Sequence, residues 1–372
     1  MDKVYTSLGL MSGTSGDGID ASIIKSDGKS SYEVITNKYF EYDQKIFNKI
    51  HNLKENIQNV KDLNKYSNEI LKLEKNITLY HAKVINEILK YHKIDIIGFH
   101  GQTIYHSSEE KISKQIGEGK LLLQLTQKNI VYNFRQNDIK NGGEGAPLTP
   151  IFHKLISKQK KIKTPLCILN IGGISNITII ESNNENDFSS RDIGPGNCLI
   201  DLWIRKNSEK QFDKNGDLAA RGTSNEIILE QGQELYVNRP NKTSLSFDVN
   251  DFDVSFVRGL SLEDGAATLT QFTGKIISSS LLNLLYKQTK KNFKVLISGG
   301  GRKNKTLVDI LKKMTSNKIS IELIDNYGVD GDYVESQAFA FLAVRSVLKL
   351  PISFPNTTGC KTPCIGGELI RN

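Results

Sequence analysis

The 372-residue chain has few of the residues that cross-link or rigidify small secreted domains. It contains 4 cysteines, 8 prolines and one tryptophan. Cys360 and Cys364 are separated by three residues, and neither a second cysteine pair nor a histidine pair completes a zinc set. The six histidines are scattered, without an H-E-x-x-H pair. We therefore expect buried or free thiols in a reducing compartment.

Long apolar runs are also missing. No run approaches the roughly 20 residues that a helix needs to cross a bilayer. The N-terminal stretch MDKVYTSLGLMSG has neither the apolar segment nor the small-residue cleavage site of a signal peptide. We therefore expect a cytoplasmic protein with no membrane partner.

Arginine is scarce, and lysine supplies most of the formal net charge of +8. The lysines are scattered through stretches such as 158–163 and 287–294. A nucleic-acid-binding face would need clustered cations that include arginine, interleaved with aromatic residues. The pattern predicts a solvated basic surface and no nucleic-acid partner.

Three common functional motifs are absent. There is no G-x-x-x-x-G-K-[ST] phosphate-binding loop, and residues 117–120 form only a G-x-G-K fragment. No G-x-G-x-x-G follows the first predicted strand, which argues against a dinucleotide-binding fold. No G-x-S-x-G occurs either, which argues against an α/β-hydrolase.

What is present is an ordinary globular composition, with 38% hydrophobic and 24% charged residues, and a length that suits two domains. Predicted strands and helices alternate, which indicates an α/β fold. Residues 8–24 and 169–180 both read as strand, glycine turn and strand, a faint internal duplication. The loop-like stretch 137–150, with three glycines and two prolines, is the candidate domain boundary.

Three glycine-rich segments could carry chemistry. The turn at residues 12–20 combines glycines, hydroxyl residues and Asp17, and could hold phosphates, or it could be a hairpin turn without a ligand. The turn at 297–304 could face a nucleoside, or it could be a tight strand-to-helix connection. Asp192 precedes a Gly-Pro-Gly turn, where it could act as a general base or as a local cap.

The order of these segments resembles that of the sugar kinase, actin and Hsp70 superfamily, in which two α/β domains close over ATP. Nine strings go further and, in the same order, resemble the motifs of the anhydro-N-acetylmuramic acid kinase family. They are GLMSGTSGDGID (9–20), FHGQT (99–103), GGEGAPLTP (142–150), LNIGGISNIT (169–178), DIGPGN (192–197), DKNGDLAARG (213–222), SGGGRKN (298–304), VESQAFAFLA (334–343) and PNTTGC (355–360).

The resemblance implies a two-domain, actin-like (ribonuclease H-like) fold with the ATP site in the interdomain cleft. We expect residues 1–136 and 346–372 to form the first domain, and 137–345 the second. It implies a kinase that uses ATP and water to open the anhydro ring of 1,6-anhydro-N-acetylmuramic acid and to phosphorylate O6, in cell-wall recycling. A homodimer is a further implication.

The resemblance also assigns residues. Asp192 matches the family's general base. The residues matched to ATP and Mg²⁺ are Ser12, Gly13, Thr14, Ser15, Gly16, Asp17, Gly18, Gly172, Gly173, Gly299, Gly300, Gly301 and Asn304, with Asp17 as the metal ligand. The candidate sugar-side residues are His100, Gln102, Thr103 and Glu335; the alternatives are loop structure for the first three and a solvated helix face for Glu335.

The sequence departs from the family pattern at two of these motifs. Gly16 stands where the family usually has Met, and Ile193 replaces the commoner Thr. Neither change removes a carboxylate. Three other functions remain as alternatives: a nucleotide-dependent switch, a kinase for another sugar or an unmodified hydroxyl, and an inactive relative. Sugar-dependent release of ADP would separate them.

Overall fold

The structure is a computed structural model that describes residues 3–184, 187–238, 245–247, 252–286, 293–315 and 319–372. The chain divides into two compact units. Unit 1 comprises Met1–Ile162 and Tyr333–Asn372, and unit 2 comprises Lys163–Asp332. The units differ from the predicted domains at both boundaries, since residues 137–162 and 333–345 belong to unit 1.

Short runs of strands and of helices follow one another along the chain. The strands are β1 (Tyr5–Ser12), β2 (Gly18–Ser26), β3 (Tyr32–Glu41), β4 (Ile96–Ser107), β5 (Ile112–Ile116), β6 (Ile130–Tyr132), β7 (Leu166–Ile171), β8 (Ile174–Ile180), β9 (Phe188–Pro195), β10 (Phe293–Ser298), β11 (Ile319–Leu323) and β12 (Glu368–Ile370). The helices are α1 (Gln44–Asn56), α2 (Val60–Lys65), α3 (Ser67–Leu89), α4 (Gly119–Thr126), α5 (Gln136–Lys140), α6 (Pro150–Gln159), α7 (Cys198–Asn207), α8 (Asp217–Arg221), α9 (Glu226–Val237), α10 (Leu262–Leu281), α11 (Lys305–Thr315), α12 (Val334–Val347) and α13 (Pro355–Thr358).

Five strands have the same order in both sheets: β6-β4-β1-β2-β3 in unit 1 corresponds to β11-β10-β7-β8-β9 in unit 2. In unit 1 the order is β12-β6-β4-β1-β2-β3, with β5 paired to β4. In unit 2 it is β11-β10-β7-β8-β9. Each sheet has a three-stranded antiparallel meander, β1-β2-β3 or β7-β8-β9, whose first strand pairs in parallel with the next long strand, β4 or β10. The internal duplication suggested by the two hairpins is therefore confirmed.

Glycines on two strands of unit 1 let helix α12 lie directly against the sheet. A Cβ atom on Gly9 would come within 2.0 Å of the Ser336 carbonyl oxygen, and one on Gly98 within 2.3 Å of the Phe339 carbonyl oxygen. The helix is buried along nearly its whole length, with alanines and phenylalanines facing inward. Because this packing needs bare backbone on β1 and β4, α12 belongs to unit 1 and not to the second predicted domain.

Helix α6 is attached to unit 1 as well. The Phe152 ring packs edge-on against Tyr32, with centroids 4.9 Å apart, and against Phe341 on α12 at 5.6 Å. The Gln159 side chain accepts a hydrogen bond from the Tyr32 N–H at 2.9 Å and donates one to the Tyr32 carbonyl oxygen at 2.6 Å. These contacts join residues 150–159 to the start of β3, which moves the boundary beyond the loop at 137–150.

Each unit has its own apolar core. In unit 1 the core lies between the sheet and the face of α1 and α3, and includes Leu8, Ile50 and Ile97. In unit 2 one cluster forms around β7, β10 and α11, and another around α7 and α10. None of the helices in the described part of the chain combines the length and the apolarity of a membrane span.

Candidate active site

The turn between β1 and β2 is a compact loop of five residues. The Gly16 N–H donates to the Gly13 carbonyl oxygen at 3.1 Å, and Gly16 has a φ of +62°. A Cβ atom at Gly16 would lie 2.8 Å from Cγ2 of Ile50 on α1. Both the left-handed backbone and the nearby isoleucine therefore suit glycine at this position, where the family pattern has Met.

Gln102 supports this turn from inside unit 1. Its Oε1 lies 2.6 Å from the Ser12 hydroxyl, which also lies 2.9 Å from the Gly18 carbonyl oxygen. Its Nε2 donates to the Gly13 carbonyl oxygen at 3.0 Å. Gln102 has no exposed surface and Ser12 is 1% exposed. The Gln102 amide thus holds Ser12 and Gly13 at the start of the turn, and the Ser12 hydroxyl contacts Gly18 at its end. The prediction of a sugar contact did not include this role.

Asp17 lies at the exposed end of the same turn. The Ser15 hydroxyl donates to its Oδ1 at 2.6 Å, while the Asp17 carbonyl oxygen accepts from the Tyr42 N–H at 2.8 Å. Burial, and after it the negative charge of Asp17, raise the pKa of the Tyr39 hydroxyl far above its ordinary value, and this hydroxyl is hydrogen-bonded to Asp17. A carboxylate beside hydroxyls is the kind of oxygen donor set that Mg²⁺ takes, so the residues present fit that ion.

Helix α1 brings two basic side chains to the turn. Lys54 Nζ donates to the Thr14 carbonyl oxygen at 2.7 Å, and His51 Nε2 donates to the Ser15 carbonyl oxygen at 2.9 Å. Neither residue was among the predicted site residues. They lie about forty positions from residues 14 and 15 along the chain, and nothing in the sequence places them beside that turn.

His100 is buried and clamped from both sides. Its Nδ1 donates to the Gly101 carbonyl oxygen at 2.8 Å, and its Nε2 accepts from Arg135 Nη2 at 2.9 Å. The ring also packs on Phe339, with centroids 4.5 Å apart. Burial, together with the charge of Arg135, holds the pKa of His100 well below its ordinary value. The imidazole is therefore neutral, and both ring nitrogens are occupied within unit 1.

The other two sugar-side candidates are less enclosed. Thr103 is half-buried on β4, and its hydroxyl accepts a hydrogen bond from Gln115 Nε2 at 3.0 Å. Glu335 is half-buried in the first turn of α12. The following residue, Ser336, lies 2.7 Å from the Ser22 hydroxyl of β2. The start of α12, including Glu335, therefore lies over the same β1–β2 hairpin that forms the glycine turn.

In unit 2 the Gly172–Gly173 turn is joined to the start of α7. The Gly172 carbonyl oxygen accepts from the Asn197 N–H at 2.8 Å, and the Gly173 carbonyl oxygen accepts from the N–H groups of Gly196 and Cys198 at 2.9 and 3.1 Å. These bonds satisfy N–H groups that a helix start leaves without an intrahelical partner. The second hairpin turn and the Gly-Pro-Gly segment thus form one local structure.

Asp192 lies on strand β9, whereas the sequence indicated a glycine-proline loop beginning near it. The Asp192 N–H donates to the Leu245 carbonyl oxygen at 2.7 Å, and Asp192 Oδ2 accepts from the Phe247 N–H at 2.7 Å. Asp192 is 8% exposed. On the other side its strand partner is Asn176, next to an irregularity in the pairing. Residues 245 and 247 were not among the predicted site residues, and nothing in their sequence pattern singled them out.

The glycines at 299–301 have different surroundings. A Cβ atom on Gly299 would lie 2.4 Å from Asn170 Oδ1, and one on Gly301 would lie 2.3 Å from Cγ2 of Ile171. Nothing lies within 4 Å of a Cβ atom on Gly300. The side chain of Asn304 caps α11, since its Oδ1 accepts from the Leu307 N–H at 3.0 Å. Packing thus accounts for two of the glycines, and only Gly300 borders open space.

Arg302 fastens this turn to a later loop. Its Nε donates to Asp325 at 2.8 Å and its Nη1 to Asp332 at 2.5 Å. Nη1 also donates to the Gly299 carbonyl oxygen at 3.2 Å. The guanidinium lowers the pKa values of Asp325 and Asp332 against the opposing effect of their burial. Arg302 lies in the motif SGGGRKN (298–304), but the sequence assigned it no role. The three aspartates within residues 325–332 were the feature of the sequence that could have identified its partners.

Two units with one strand order, each opening on a hairpin whose turn is rich in glycine, define a protein of the actin-like ATPase class. The family model for anhydro-N-acetylmuramic acid kinase matches residues 5–372. The chain belongs to this family.

Individual relatives carry the same name. The anhydro-N-acetylmuramic acid kinase of Pelagibacter ubique is 54% identical over 374 residues, and that of Agrobacterium fabrum is 36% identical over 379 residues; each alignment covers 100% of both chains. The alignment with the kinase of Zymomonas mobilis, at 35% identity, covers 97% of this chain and 98% of that one.

Solved structures resemble the chain more distantly. A ROK family glucokinase from Streptomyces griseus, in complex with glucose and AMPPNP, gives a TM-score of 0.42 at 10% identity and covers 91% of this chain and 99% of that chain. The activator of the 2-hydroxyisocaproyl-CoA dehydratase from Clostridium difficile, with bound ADPNP, gives a TM-score of 0.41 at 12% identity, with 92% and 96% covered.

Proposed function

We propose that the protein is an ATP-dependent kinase that hydrolytically opens the anhydro ring of 1,6-anhydro-N-acetylmuramic acid and phosphorylates O6. The products are N-acetylmuramic acid 6-phosphate and ADP, and the reaction belongs to peptidoglycan recycling and amino-sugar catabolism. Membership of the family over residues 5–372 supports the reaction. The observation that carries the chemistry is the position of Asp192, a carboxylate held on a strand by a backbone N–H.

Asp192 is proposed as the general base. It takes a proton from a water molecule, whose oxygen bonds to the anomeric carbon as the bond from that carbon to the bridging oxygen breaks. The bridging oxygen, now O6, bonds to the γ-phosphorus of ATP and ADP leaves. The base-and-water half of this reaction is like that of an inverting glycosidase. The Phe247 N–H at Oδ2 fixes the carboxylate in one orientation, which a base acting on a single water requires.

We propose that the turn at residues 12–18 binds the phosphates of ATP. Its glycines allow backbone N–H groups to approach an anion. The Ser12 hydroxyl, which Gln102 holds, connects the start of the turn to Gly18 at its end. Lys54 adds positive charge next to the turn, and His51 holds the Ser15 carbonyl oxygen. Asp17 would hold Mg²⁺, which when bound neutralises charge on the transferring phosphoryl group.

In unit 2 we propose that the Gly172–Gly173 turn also binds phosphate and that Gly300 faces the nucleoside. The carbonyl oxygens of Gly172 and Gly173 are hydrogen-bonded to the start of α7, which holds the turn in one conformation. Gly300 borders space in which no atom lies within 4 Å of a Cβ position. Gly299, Gly301 and Asn304 shape this turn through packing and capping.

On the sugar side we propose Glu335 and Thr103 as direct contacts. His100 and Gln102 are proposed as positioning residues, because their polar atoms are already used within unit 1. We further propose a cytoplasmic homodimer that binds neither nucleic acid nor membranes, supported by the family resemblance and the scattered lysines. Light scattering of the purified protein measures the dimer directly.

The test is ADP release with Mg-ATP and 1,6-anhydro-N-acetylmuramic acid, with N-acetylmuramic acid and N-acetylglucosamine as control sugars. Run in ¹⁸O-labelled water, the reaction should place the label at C1 of the product and not in the phosphate. ADP release with an unmodified sugar instead would show that the protein is a kinase with a different sugar substrate. A folded, ATP-binding protein that releases no sugar-dependent ADP would overturn the proposal.

A further inference from the structure

Two cysteines and a carboxylate meet outside the proposed active site. Asp138 lies on α5, whereas Cys360 and Cys364 lie in the loop after α13. One ligand atom from each of the three side chains lies within 4.8 Å of the other two. The three residues are 1%, 2% and 4% exposed. Neither cysteine forms a disulfide, so two free thiols and a buried carboxylate share one enclosed position.

The fold holds Asp138 in place without exhausting its capacity to bind. Its Oδ2 accepts a hydrogen bond from the Gly145 N–H at 2.8 Å, and its Oδ1 accepts one from the Thr358 hydroxyl at 2.6 Å. A carboxylate has about four lone-pair positions, so each oxygen keeps one for a further ligand. The Lys361 N–H, between the cysteines, donates to the Asn141 carbonyl oxygen at 3.1 Å. The cysteine loop is therefore tied to the segment that follows α5.

The loop between the cysteines supplies another oxygen and a route from solvent. The Thr362 carbonyl oxygen accepts from both thiols, at 3.2 Å from Cys360 Sγ and 2.9 Å from Cys364 Sγ. Residues 361–363 are exposed although the cysteines on either side are buried. The segment that connects the two cysteines therefore borders solvent, from which a small ion would enter.

A fourth polar side chain in the same place is unsatisfied. Ser353 forms an isolated β-bridge with Cys364, and its side chain is 1% exposed. Its hydroxyl is near enough to the Cys364 thiol to lower the pKa of that thiol. Nevertheless, among the residues that the structure describes, it has no hydrogen-bond partner of ordinary geometry. A buried hydroxyl without a partner is costly, and a ligand at this position would remove that cost.

We propose that Asp138, Cys360 and Cys364 bind a divalent cation that prefers thiolate ligands, of the Zn²⁺ class. Bond lengths of about 2.3 Å to sulfur and about 2.0 Å to oxygen put tetrahedral ligand atoms about 3.5–3.8 Å apart. The three atoms, which lie within 4.8 Å of one another, therefore need to close by no more than about 1.3 Å. Both thiols release their protons to water on binding, because thiolates are the ligands. The Thr362 carbonyl, the Ser353 hydroxyl or water completes the set.

Burial argues against a redox role for the two cysteines. They are 2% and 4% exposed, whereas disulfide formation starts from an accessible thiolate. From the sequence, a zinc site was set aside because neither a second cysteine pair nor a histidine pair completes the ligand set. The third ligand, Asp138, is brought to the cysteines only by the fold.

The experiment uses the reduced, chelator-treated full chain, titrated with Co²⁺ and then with Zn²⁺. We expect one Co²⁺ per chain, with the near-ultraviolet thiolate-to-cobalt band and the strong visible bands of a tetrahedral site, and loss of both bands on addition of Zn²⁺. Cys364→Ser and Asp138→Asn should lower the affinity at least about ten-fold, no less than the loss of an outer-shell partner. Cys167→Ser, in the core of unit 2, is the matched control and should bind Co²⁺ like the parent.

Two results would overturn the proposal. One is the absence of thiolate-to-cobalt bands in the folded parent chain, or the same bands in Cys364→Ser. The other is a Cys360–Cys364 disulfide in protein purified with its thiols protected, detected by mass spectrometry, because that would make the pair a redox element. Circular dichroism of each variant distinguishes loss of a ligand from loss of folding. Where Asp138→Asn does not fold, Cys360→Ser replaces it.

Discussion

Asp192 on β9 is the strand partner of Asn176 on β8. The pairing is irregular between Ser175 and Asn176, and the Asn176 side-chain oxygen is buried without a hydrogen-bond partner in the described part of the chain. A buried side-chain oxygen without a hydrogen-bond partner lowers the stability of the folded protein. A strand pair that served only the fold would not need one beside Asp192. A buried polar atom without a partner calls for an explanation, and a catalytic role is one such explanation.

We predict that Asp192→Asn lowers kcat by about 10²–10⁴-fold, the usual contribution of a general base, while ATP still binds. The amide oxygen can still accept the Phe247 N–H, so the fold should be retained. Sugar-dependent ADP release and ATP calorimetry measure the two effects. Asp309→Asn, at an exposed position on α11, is the matched control and should leave both unchanged. Turnover near the parent rate in Asp192→Asn would remove this residue from the role of base.

A second prediction concerns Gln102. We expect Gln102→Ala to weaken ATP binding by about ten-fold, which corresponds to about 1.4 kcal/mol, because the turn loses the amide that joins Ser12 to the Gly13 carbonyl. Leaving the buried Ser12 hydroxyl with one partner fewer should also cost about 1–3 kcal/mol of unfolding free energy. Calorimetry with ATP and urea denaturation measure these changes.

The matched control for this change is Gln124→Ala, at an exposed position on α4. It should alter neither quantity. If Gln102→Ala instead raises KM for the sugar and leaves ATP affinity unchanged, Gln102 is a sugar contact and not a support of the turn.

Two neighbouring glycines provide a third prediction. Gly301→Ala should lower the free energy of unfolding by about 1–3 kcal/mol, because its Cβ would be forced against Ile171 in a packed core. Gly300→Ala meets no atom within 4 Å, so its stability should stay within about 0.5 kcal/mol of the parent. ATP affinity should nevertheless fall in Gly300→Ala, because the new methyl group enters the proposed nucleoside space. Unchanged ATP affinity in that variant would contradict the assignment of Gly300.

The fourth prediction concerns the pH dependence of stability. His81 is fully buried, and burial lowers its pKa to about 4 from an ordinary 6.5. Between these two values the unfolded chain binds a proton that the folded chain does not, so stability is complete above about pH 6.5 and is lost as the pH falls. At pH 5 the loss from this one residue should be about 2 kcal/mol.

Urea denaturation at pH 7 and pH 5 tests the effect of His81. In His81→Leu the difference in unfolding free energy between the two pH values should be smaller than in the parent by that amount. Three other histidines are buried. Burial lowers the pKa values of His106 and His153 to about 3 and holds that of His100 well below its ordinary value, so these residues should preserve the rest of the acid sensitivity. An unchanged difference in His81→Leu would show that His81 is protonated or accessible in the folded protein.

Much of the local structure follows from short-range chemistry, and for that reason it could be predicted. Glycine and hydroxyl residues between two apolar runs identified both hairpins, since the turn residues and the strands lie next to one another in the chain. The nine motif strings identified the family, which the match over residues 5–372 confirms. The α/β class followed from the alternation of elements and is confirmed by the two sheets.

The direction of individual side chains did not follow from the sequence. His100 and Gln102 are polar residues in a motif, which favoured contact with a substrate, yet both side chains point into unit 1 and form hydrogen bonds there. Asp192 was expected beside a loop but lies on strand β9. The strand continues past Asp192 to Pro195, so the glycines that follow Asp192 mark the end of the strand. A sequence gives the type of a polar group and not the partners that reach it from elsewhere.

By itself the sequence determined the composition of each hairpin, the glycines at the turns and the order of the motifs, all of which depend on residues that are close along the chain. Only the tertiary structure decided which unit holds α12, that Lys54 and His51 lie beside the first turn, and that Asp138 meets Cys360 and Cys364. These relationships join segments far apart in sequence, and they depend on long-range packing such as that of bare backbone at Gly9 and Gly98 against α12.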